Sequence, residues 1–419
     1  MPMTKNTPFL ALAASAVLFV GTAAAQAPAD NAAVNAALAA IKADNAWTIA
    51  QQKSICEIPA PSFKEAVRGA EMKRRFEALG LSARVDAVGN VIAERAGAGA
   101  GGGPTVVLAG HLDTVFPEGT DVKVHEDGGR LHSPGIADDC RGLAVVLAVA
   151  RAWQQHHVAT TGRVIFVANV GEEGAGDLRG VRHLFSKELA GKIDYFISVD
   201  GTGTSIKSRG VGSHRYRVTY KGPGGHSYGA FGMPNPIHAL GRAIALIGDV
   251  QVPASPKTTF NVGVIKGGTS VNSIAFEAAM DVDMRSESAE ELRTIDEKIR
   301  RAIQQALDAE NARWPDSRVK LTVQVDTIGI RPTGAQADTA RIVRVAIEAG
   351  RALGFTSETG AASTDANIPI SLGLPGITID GGGRGGGAHS LSEWYEDGSN
   401  GWLGPQWAAL IVATLAGVR

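Results

Sequence analysis

The chain carries almost no excess of charge, few aromatic residues and only two cysteines. Its 419 residues have a formal net charge of −1, and 5% of them are aromatic. Without a basic stripe or an aromatic platform, there is no reason to expect nucleic acid or an anionic membrane surface as a partner. An exported location would permit a disulfide between Cys56 and Cys140. Alternatively, Cys140 is a small buried residue, or it lines a site that contains Asp138.

No apolar run beyond the N-terminus approaches the length of a membrane-spanning helix. The first 25 residues have the features of a secretory leader, with Lys5, an apolar stretch from Phe9 to Val20 and an Ala-Ala-Ala cleavage site at 23–25. We expect export to the periplasm or the exterior, with residues 1–25 removed as a signal peptide and no membrane attachment afterwards. The alternative is an uncleaved anchor, for which this stretch is marginal in length.

The remaining chain of about 390 residues exceeds one comfortable core, which predicts two domains. Short apolar strands alternate with helices at both ends of the chain, a pattern typical of a mostly parallel sheet covered by helices. Between them, residues 211–329 follow the order β-α-β-β-α-β, which is the ferredoxin-like, split βαβ arrangement. We therefore predict an α/β domain (26–210 and 330–419) that is interrupted by an inserted α+β domain. Asn31–Ser54 is predicted to form one amphipathic helix.

Side chains suited to metal binding follow successive apolar strands. His111 closes one strand, Glu172 and Glu173 follow another, and Asp200 ends a third. Because the carboxyl ends of parallel strands meet at one edge of a sheet, we expect these groups to lie together. Two adjacent glutamates can divide the work of a hydrolase, one as a metal ligand and one as the base that takes a proton from water. The alternatives are a turn-capping histidine, a solvated glutamate pair and an ordinary turn aspartate.

Three further groups complete this set. Asp113, two residues after His111 on extended backbone, can accept the second ring N–H of that histidine. Asp138 and Asp139 open a helix, where one of them is expected to be the N-cap and the other a metal ligand. His389 follows a glycine-rich run. Two imidazoles and three carboxylates would suffice for two metals that share one bridging aspartate.

These motifs, taken in order, resemble those of the co-catalytic zinc metallopeptidases, the family of aminoacylase, acetylornithine deacetylase, glutamate carboxypeptidase and tripeptide aminopeptidase. The matching segments are Gly110-His111-Leu112-Asp113-Thr114-Val115, Ala137-Asp138-Asp139, Gly171-Glu172-Glu173-Gly174 and Ala388-His389-Ser390. The Ala-Asp-Asp form is most similar to the tripeptide aminopeptidase branch. The resemblance implies two divalent metal ions, zinc in the first place, with cobalt or manganese as alternatives.

The resemblance also implies a role for each residue. His111 and Asp200 would hold one metal, Glu173 and His389 the other, and Asp138 would bridge them. The remaining roles are implied for Asp113 (orienting His111), Glu172 (general base), His226 (oxyanion stabilisation, within the chain or across a dimer), and Asn272 and Arg285 (substrate contacts).

The inserted domain would be a lid and a dimerisation module, so a homodimer is expected. The fork of Arg285 suits a substrate carboxylate. The chain departs from the family pattern at Cys140-Arg141-Gly142, where many members have lysine before glycine. It also departs at 228–230, where the usual Arg-Pro is absent. Both departures concern substrate binding rather than metal binding.

The expected activity is the hydrolysis of amide bonds in small peptides by an exopeptidase. If the protein is an enzyme, the alternatives to an exopeptidase are an N-acyl-amino-acid deacylase and a glutamate-type carboxypeptidase. A catalytically inactive member of the family, which binds peptide or sequesters metal, would be a different class of protein. Since every expected ligand position and the base are filled, the sequence favours an enzyme.

Overall fold

The computed structural model describes residues 30–98 and 102–418. The leader predicted for residues 1–25 lies outside the described residues. Within those ranges, no helix combines the length and the apolar character needed to cross a membrane.

The α/β domain is built from both ends of the chain. Its first part contains α1 (Ala32–Ala43), α2 (Asn45–Cys56), α3 (Ala66–Ala78), β1 (Ser82–Val85), β2 (Val91–Arg95), β3 (Thr105–His111), β4 (His125–Asp127), β5 (Arg130–His132), α4 (Cys140–Gln155), β6 (Arg163–Asn169), α5 (Arg179–His183), a π-helical turn (Leu184–Glu188), β7 (Tyr195–Val199) and β8 (Ile206–Gly210). The inserted domain contains β9 (Gly212–Lys221), β10 (Gly225–His226), α6 (Pro236–Gly248), β11 (Thr258–Gly267), β12 (Ser273–Ile274), β13 (Glu277–Ser286), α7 (Ala289–Arg313) and β14 (Thr322–Arg331). The α/β domain then resumes with β15 (Gly334–Ala335), α8 (Arg341–Ala352), β16 (Thr359–Ala362), α9 (Asn367–Ser371), β17 (Gly376–Ile379), β18 (Arg384–Gly386), β19 (Trp394–Glu396) and α10 (Leu403–Ala416).

The central sheet confirms the predicted mixed, mostly parallel architecture. Its strand order is β1-β2-β6-β3-β7-β17-β8-β15, and β16 pairs with β8. The four central strands β6, β3, β7 and β17 are parallel neighbours, whereas antiparallel pairs form both edges. Every residue of β3 is buried, as expected for a central strand covered on both faces.

Helix α4 shows how the core holds the functional end of this sheet in place. Thirteen of its residues are buried, and it packs against α2 and α10 as well as against β3. Its first turn is capped by Asp139, whose carboxylate accepts the N–H of Gly142 at 2.8 Å. The capping role predicted for one member of the aspartate pair thus belongs to Asp139, which leaves Asp138 free to face the site.

The inserted domain is a four-stranded antiparallel sheet, β11-β13-β9-β14, with α6 and α7 on one face. Ser288 caps α7 by accepting the N–H of Glu291, and the apolar residues of this helix pack against the sheet. Strand β13 alternates strictly, so that Met280 and Met284 face the helices. The opposite face carries Asp281, Asp283 and Arg285, which are only partly buried.

Two parts of the α/β domain differ from the sequence prediction. The opening helix predicted for residues 31–54 is broken at Asp44 into α1 and α2; both helices pack on α4, and α1 also packs on α10. A small sheet, β18-β19-β5-β4, was not predicted. Each of its strands has only three residues, too few to give a recognisable alternation.

The two cysteines meet in a disulfide between the end of α2 and the start of α4. Both are fully buried. The pairing that the sequence left open is therefore present, and Cys140 does not line the cavity described below.

Candidate active site

The carboxyl ends of the central strands bring the predicted metal ligands together. His111 is the last residue of β3, Asp200 directly follows β7, and Glu173 lies in the loop after β6. Because β6, β3 and β7 are parallel neighbours, these side chains emerge at the same edge. Asp138 reaches them from the loop before α4, and His389 from the loop between β18 and β19.

Asp138 lies between the two histidines. Its Oδ1 is 3.0 Å from Nε2 of His111, and its Oδ2 is 3.1 Å from Nε2 of His389. Nε2 of His389 also lies 3.1 Å from Oε1 of Glu173. The donor atoms of His111, Asp138 and Asp200 all lie within 4.8 Å of one another, and so do those of Asp138, Glu173 and His389. The arrangement is two groups of ligands that share one carboxylate.

The pKa shifts of these groups show that closely spaced carboxylates favour positive charge at this place. Hydrogen bonds to Asp138 and Glu173 raise the pKa of His389 to about 10. Although burial lowers it, the nearby carboxylates of Asp113 and Asp138 raise the pKa of His111 well above its ordinary value. Burial and the charge of Asp138 raise the pKa of Asp200 well above the usual range, and its side chain has no hydrogen-bond partner among the described residues. Divalent cations would take the place of these protons, and imidazole with carboxylate is the donor set that zinc, cobalt or manganese accepts.

Asp113 is buried, and its carboxylate accepts hydrogen bonds from the backbone of the glutamate pair. The backbone N–H groups of Glu172 and Glu173 donate to its Oδ1 and Oδ2 at 2.9 and 3.0 Å, and the hydroxyl of Ser62 donates to Oδ2 at 2.7 Å. Nδ1 of His111 is 3.0 Å from the backbone oxygen of Asp113 but 3.7 Å from its Oδ1. The closer acceptor for His111 is thus the carbonyl, not the carboxylate as the sequence analysis expected, because that carboxylate is occupied by the backbone of the glutamate pair.

Glu172 has a charged partner that the sequence analysis missed. Nη1 of Arg331 lies 3.0 Å from its Oε1 and 3.1 Å from the hydroxyl of Ser363, and Nη2 donates to the backbone oxygen of Glu172. Both side chains of this pair are almost completely buried. Burial raises the pKa of Glu172 to about 8, although the guanidinium acts in the opposite direction. A carboxylate that titrates near neutrality is suited to accept and return a proton.

A cavity of about 820 Å³ opens over these groups. Its floor contains Asp138, Glu172, Glu173, Asp200 and His389. Its opposite wall is the free face of the inserted sheet, with Arg215, Arg217, Asn261, Asp281, Asp283 and Arg285.

The charged groups of that wall are paired across neighbouring strands. Nε of Arg215 and Nε of Arg285 each lie 2.8 Å from Asp283, and Arg217 makes two hydrogen bonds to Asp281. Asp283 is therefore shared by two arginines. Because three arginines of this wall face only two aspartates, the wall carries a net positive charge. The two Nη groups of Arg285 have no hydrogen-bond partner within the described part of the chain, so they remain available to an anion.

The structure does not bring His226 and Asn272 to this cavity. They lie beside each other, since Ser227 N–H donates to the backbone oxygen of Asn272 at 2.9 Å and β10 pairs with β12. Both side chains are exposed, and neither is among the described residues that line the cavity. Nδ1 of His226 accepts the N–H groups of Tyr228 and Gly229 at 3.3 and 3.2 Å.

The sequence was then compared with known families. The model of peptidase family M20/M25/M40 matches residues 107–400. The chain belongs to this family. Members of the M20 family are metal-dependent hydrolases of peptides or amides that typically use two metal ions, and the two ligand groups around Asp138 provide the donors for such a centre.

Several M20 relatives resemble the chain over most of its length. Carboxypeptidase G2 of Pseudomonas sp. (strain RS-16) is 28% identical over 298 residues, which are 66% of this chain and 68% of that protein. A tripeptidase from Staphylococcus aureus superposes with a TM-score of 0.69 at 22% identity, covering 87% of this chain and 96% of that one. YxeP of Bacillus subtilis, described as a dinuclear metal binding peptidase of the M20 family, superposes with a TM-score of 0.63 at 18% identity over 89% and 99% of the two chains. The two structural matches support the fold.

Proposed function

We propose that this M20 protein is an exopeptidase that hydrolyses amide bonds of small peptides at a two-metal centre. The observation that carries the proposal is the position of Asp138, whose two oxygens each face one histidine at 3.0 and 3.1 Å. In the proposed site, His111 and Asp200 would hold one ion, Glu173 and His389 would hold the other, and Asp138 would be shared between them. Zinc is the proposed ion, with cobalt and manganese as alternatives.

The residues of the chain supply the remaining chemistry. When bound, two such ions would lower the pKa of water towards about 7 and polarise the scissile carbonyl. Glu172 accepts the proton of the attacking water and returns it to the leaving amine. Asp113 holds the backbone of the glutamate pair, and Arg331 keeps the Glu172 side chain oriented into the cavity. Arg285 binds the free carboxylate of the substrate with its Nη groups.

The experiment that tests this activity is hydrolysis of a panel of tripeptides, dipeptides, N-acetyl amino acids and peptides with C-terminal glutamate. Each substrate is assayed before and after chelation, and again after zinc or manganese is restored. Metal-restored cleavage with a preference for tripeptides is expected. A preference for N-acetyl amino acids or for C-terminal glutamate would replace the exopeptidase assignment with a deacylase or a carboxypeptidase, and protein without bound metal would refute the site.

Two matched variants separate the base from a ligand. Glu172→Gln should lower kcat by at least about 100-fold with the metal content unchanged. Glu173→Gln should lose metal and activity together. If Glu172→Gln loses metal as well, that residue is a ligand rather than the base.

We propose further that the protein is a homodimer through the inserted domain, in which His226 completes the oxyanion site of the partner. The support is that His226 and Asn272 lie outside the cavity of their own chain, next to the exposed side chains of Tyr228, Phe231 and Val271. Mixing the inactive variants His226→Ala and Glu172→Gln tests this proposal. In a two-fold dimer with exchanging subunits, the mixture should recover about a quarter of wild-type activity. A monomer in sedimentation, or a mixture without activity, would refute it.

Export is proposed as well, with cleavage of residues 1–25. The Cys56–Cys140 disulfide supports an oxidising location. Sequencing the N-terminus of the protein from a cell fraction would test it: a mature protein that begins at Gln26 is expected, and a cytoplasmic protein that begins at Met1 would refute the proposal.

A further inference from the structure

Glu393 is a buried carboxylate without a cationic partner. It lies four residues after His389, immediately before β19, and its side chain has no exposed surface. No lysine or arginine of the described residues forms an ion pair with it. A buried charge is costly unless hydrogen bonds compensate it, so the partners of this carboxylate indicate what it does.

Those partners are three N–H groups of the loop that carries Asp138. Oε1 accepts the N–H of Ala137 at 2.8 Å and that of Asp138 at 3.0 Å, and Oε2 accepts the N–H of Gly135 at 2.8 Å. In addition, Ser133 N–H donates to the backbone oxygen of Glu393 at 3.3 Å. The strands on either side continue the connection, since β19 pairs with β5.

This contact joins two loops that each deliver a ligand to the same place. One loop carries Asp138, and the other carries His389, whose Nε2 lies 3.1 Å from Oδ2 of Asp138. Because Asp138 must face both histidines at about 3 Å, a small displacement of its loop would spoil both contacts. The loop has no regular secondary structure of its own between β5 and α4, so its position depends on such external contacts.

We infer that Glu393 is a positioning residue: its carboxylate fixes the backbone of residues 135–138 and thereby sets the affinity of the centre for its metals. This inference rests on the proposed metal ligands and adds Glu393 to them as a residue that acts through Asp138. Partners that orient metal ligands typically change metal affinity by about 10- to 100-fold when they are removed.

The chemistry requires a carboxylate rather than an amide. Two anionic oxygens can accept three N–H groups, whereas glutamine has one accepting oxygen and directs an NH₂ donor at donors. Glu393→Gln therefore leaves at least one of the three N–H groups without an acceptor while it preserves the size of the side chain. Glu396→Gln is a matched control, because Glu396 ends the short strand that directly follows Glu393 but pairs at the surface with Arg130 and Arg384.

The test measures zinc binding to the full metal-free protein by competition with a chromophoric chelator, together with bound zinc per chain, KM at saturating zinc and the melting temperature. Glu393→Gln should raise the zinc dissociation constant by about 10- to 100-fold, and KM at saturating zinc should remain within about twofold of wild type. Glu396→Gln should leave the dissociation constant unchanged. A merely structural role predicts a lower melting temperature with the dissociation constant within twofold of wild type, and that result would overturn the inference.

A second variant covers the case in which Glu393→Gln does not fold. Glu393→Asp keeps the charge but withdraws it by one methylene, so the same rise in the zinc dissociation constant is expected. If neither variant folds, even in excess zinc, Glu393 serves the fold and the inference is overturned. The proposed function is refuted separately if the wild-type protein binds no zinc. If the wild-type protein binds two zinc ions and Glu393→Gln binds zinc with the same affinity, only the inference about Glu393 is refuted.

Discussion

Replacing Arg331 by glutamine should move the acid limb of the pH profile of kcat/KM to higher pH. In the proposed mechanism Glu172 works as a deprotonated base, and Arg331 favours that form through an ion pair of 3.0 Å. Burial raises the pKa of Glu172 to about 8 even though the guanidinium acts to lower it. Without the guanidinium, the Glu172 carboxylate stays protonated up to a higher pH. As pH is lowered, kcat/KM therefore begins to fall at a higher pH than in the wild type.

The size of this shift follows from the distance. Two unit charges 3.0 Å apart attract by about 5 kcal/mol at an effective dielectric constant near 20, which is an upper limit for this pair. One pKa unit corresponds to about 1.4 kcal/mol. Because water would enter the space left by the guanidinium and neighbouring carboxylates titrate together with Glu172, we expect a shift of about 1 to 2 pH units.

The assay is kcat/KM at saturating metal between pH 5 and 10, for wild type, Arg331→Gln and Arg182→Gln. Arg182 lies at the same junction between the two domains, where it contacts Asp177 and the backbone oxygen of Ile330 but not Glu172. Its replacement should leave the acid limb in place. An unmoved limb in Arg331→Gln, or an equal shift in both variants, would show that the ion pair does not control the base.

Three other predictions concern metal, substrate and stability. After chelation, thermal stability should fall as pH rises from about 6.5 to 10, because the pKa of His389 is raised to about 10 and that of Glu172 to about 8. A group with a raised pKa stabilises the folded protein while it is protonated, and this stabilisation is lost as pH rises. Melting curves that do not change with pH would contradict these raised pKa values. Arg285→Lys should raise KM about tenfold for substrates with a free carboxylate and leave their C-terminal amides unaffected, so equal effects on both would remove Arg285 from carboxylate binding. Replacing Cys56 and Cys140 by alanine should lower the free energy of unfolding by about 4.6 kcal/mol, the loop-closure value for a separation of 84 residues. Urea denaturation measures this change, and an unchanged midpoint would contradict the entropic argument.

The metal ligands could be predicted because the fold repeats one local pattern. Polar residues lie at or just after the carboxyl ends of the parallel strands, and the geometry of such sheets brings those ends together. His111, Glu173 and Asp200 follow this rule, so the sequence alone predicts that they lie close together. Asp138 and His389 come from loops; they completed the predicted set of two imidazoles and three carboxylates, whereas the division of that set between two metals depended on the resemblance between motifs.

The residues that support the site could not be predicted in this way. Arg331 contacts Glu172 across 159 positions, and Glu393 contacts the Asp138 loop across about 255. Neither lies in a periodic segment or a motif that the sequence analysis had assigned a role. Their importance comes from tertiary contacts alone, and the same holds for the acceptor of His111, which is the carbonyl of Asp113 because its carboxylate is occupied elsewhere.

The inserted sheet leaves and re-enters the α/β domain at nearly one point. Ser213 on β9 and Arg331 on β14 are register partners, which places their α-carbons about 5 Å apart. A two- or three-residue splice could therefore replace the whole module without breaking any strand that carries a ligand, and modules could be exchanged between relatives in the same way. The seam of such a graft lies at Arg331 itself. A transplanted module would bring its own residue to that position, so exchanging substrate walls would also retune the acidity of the glutamate on the other side.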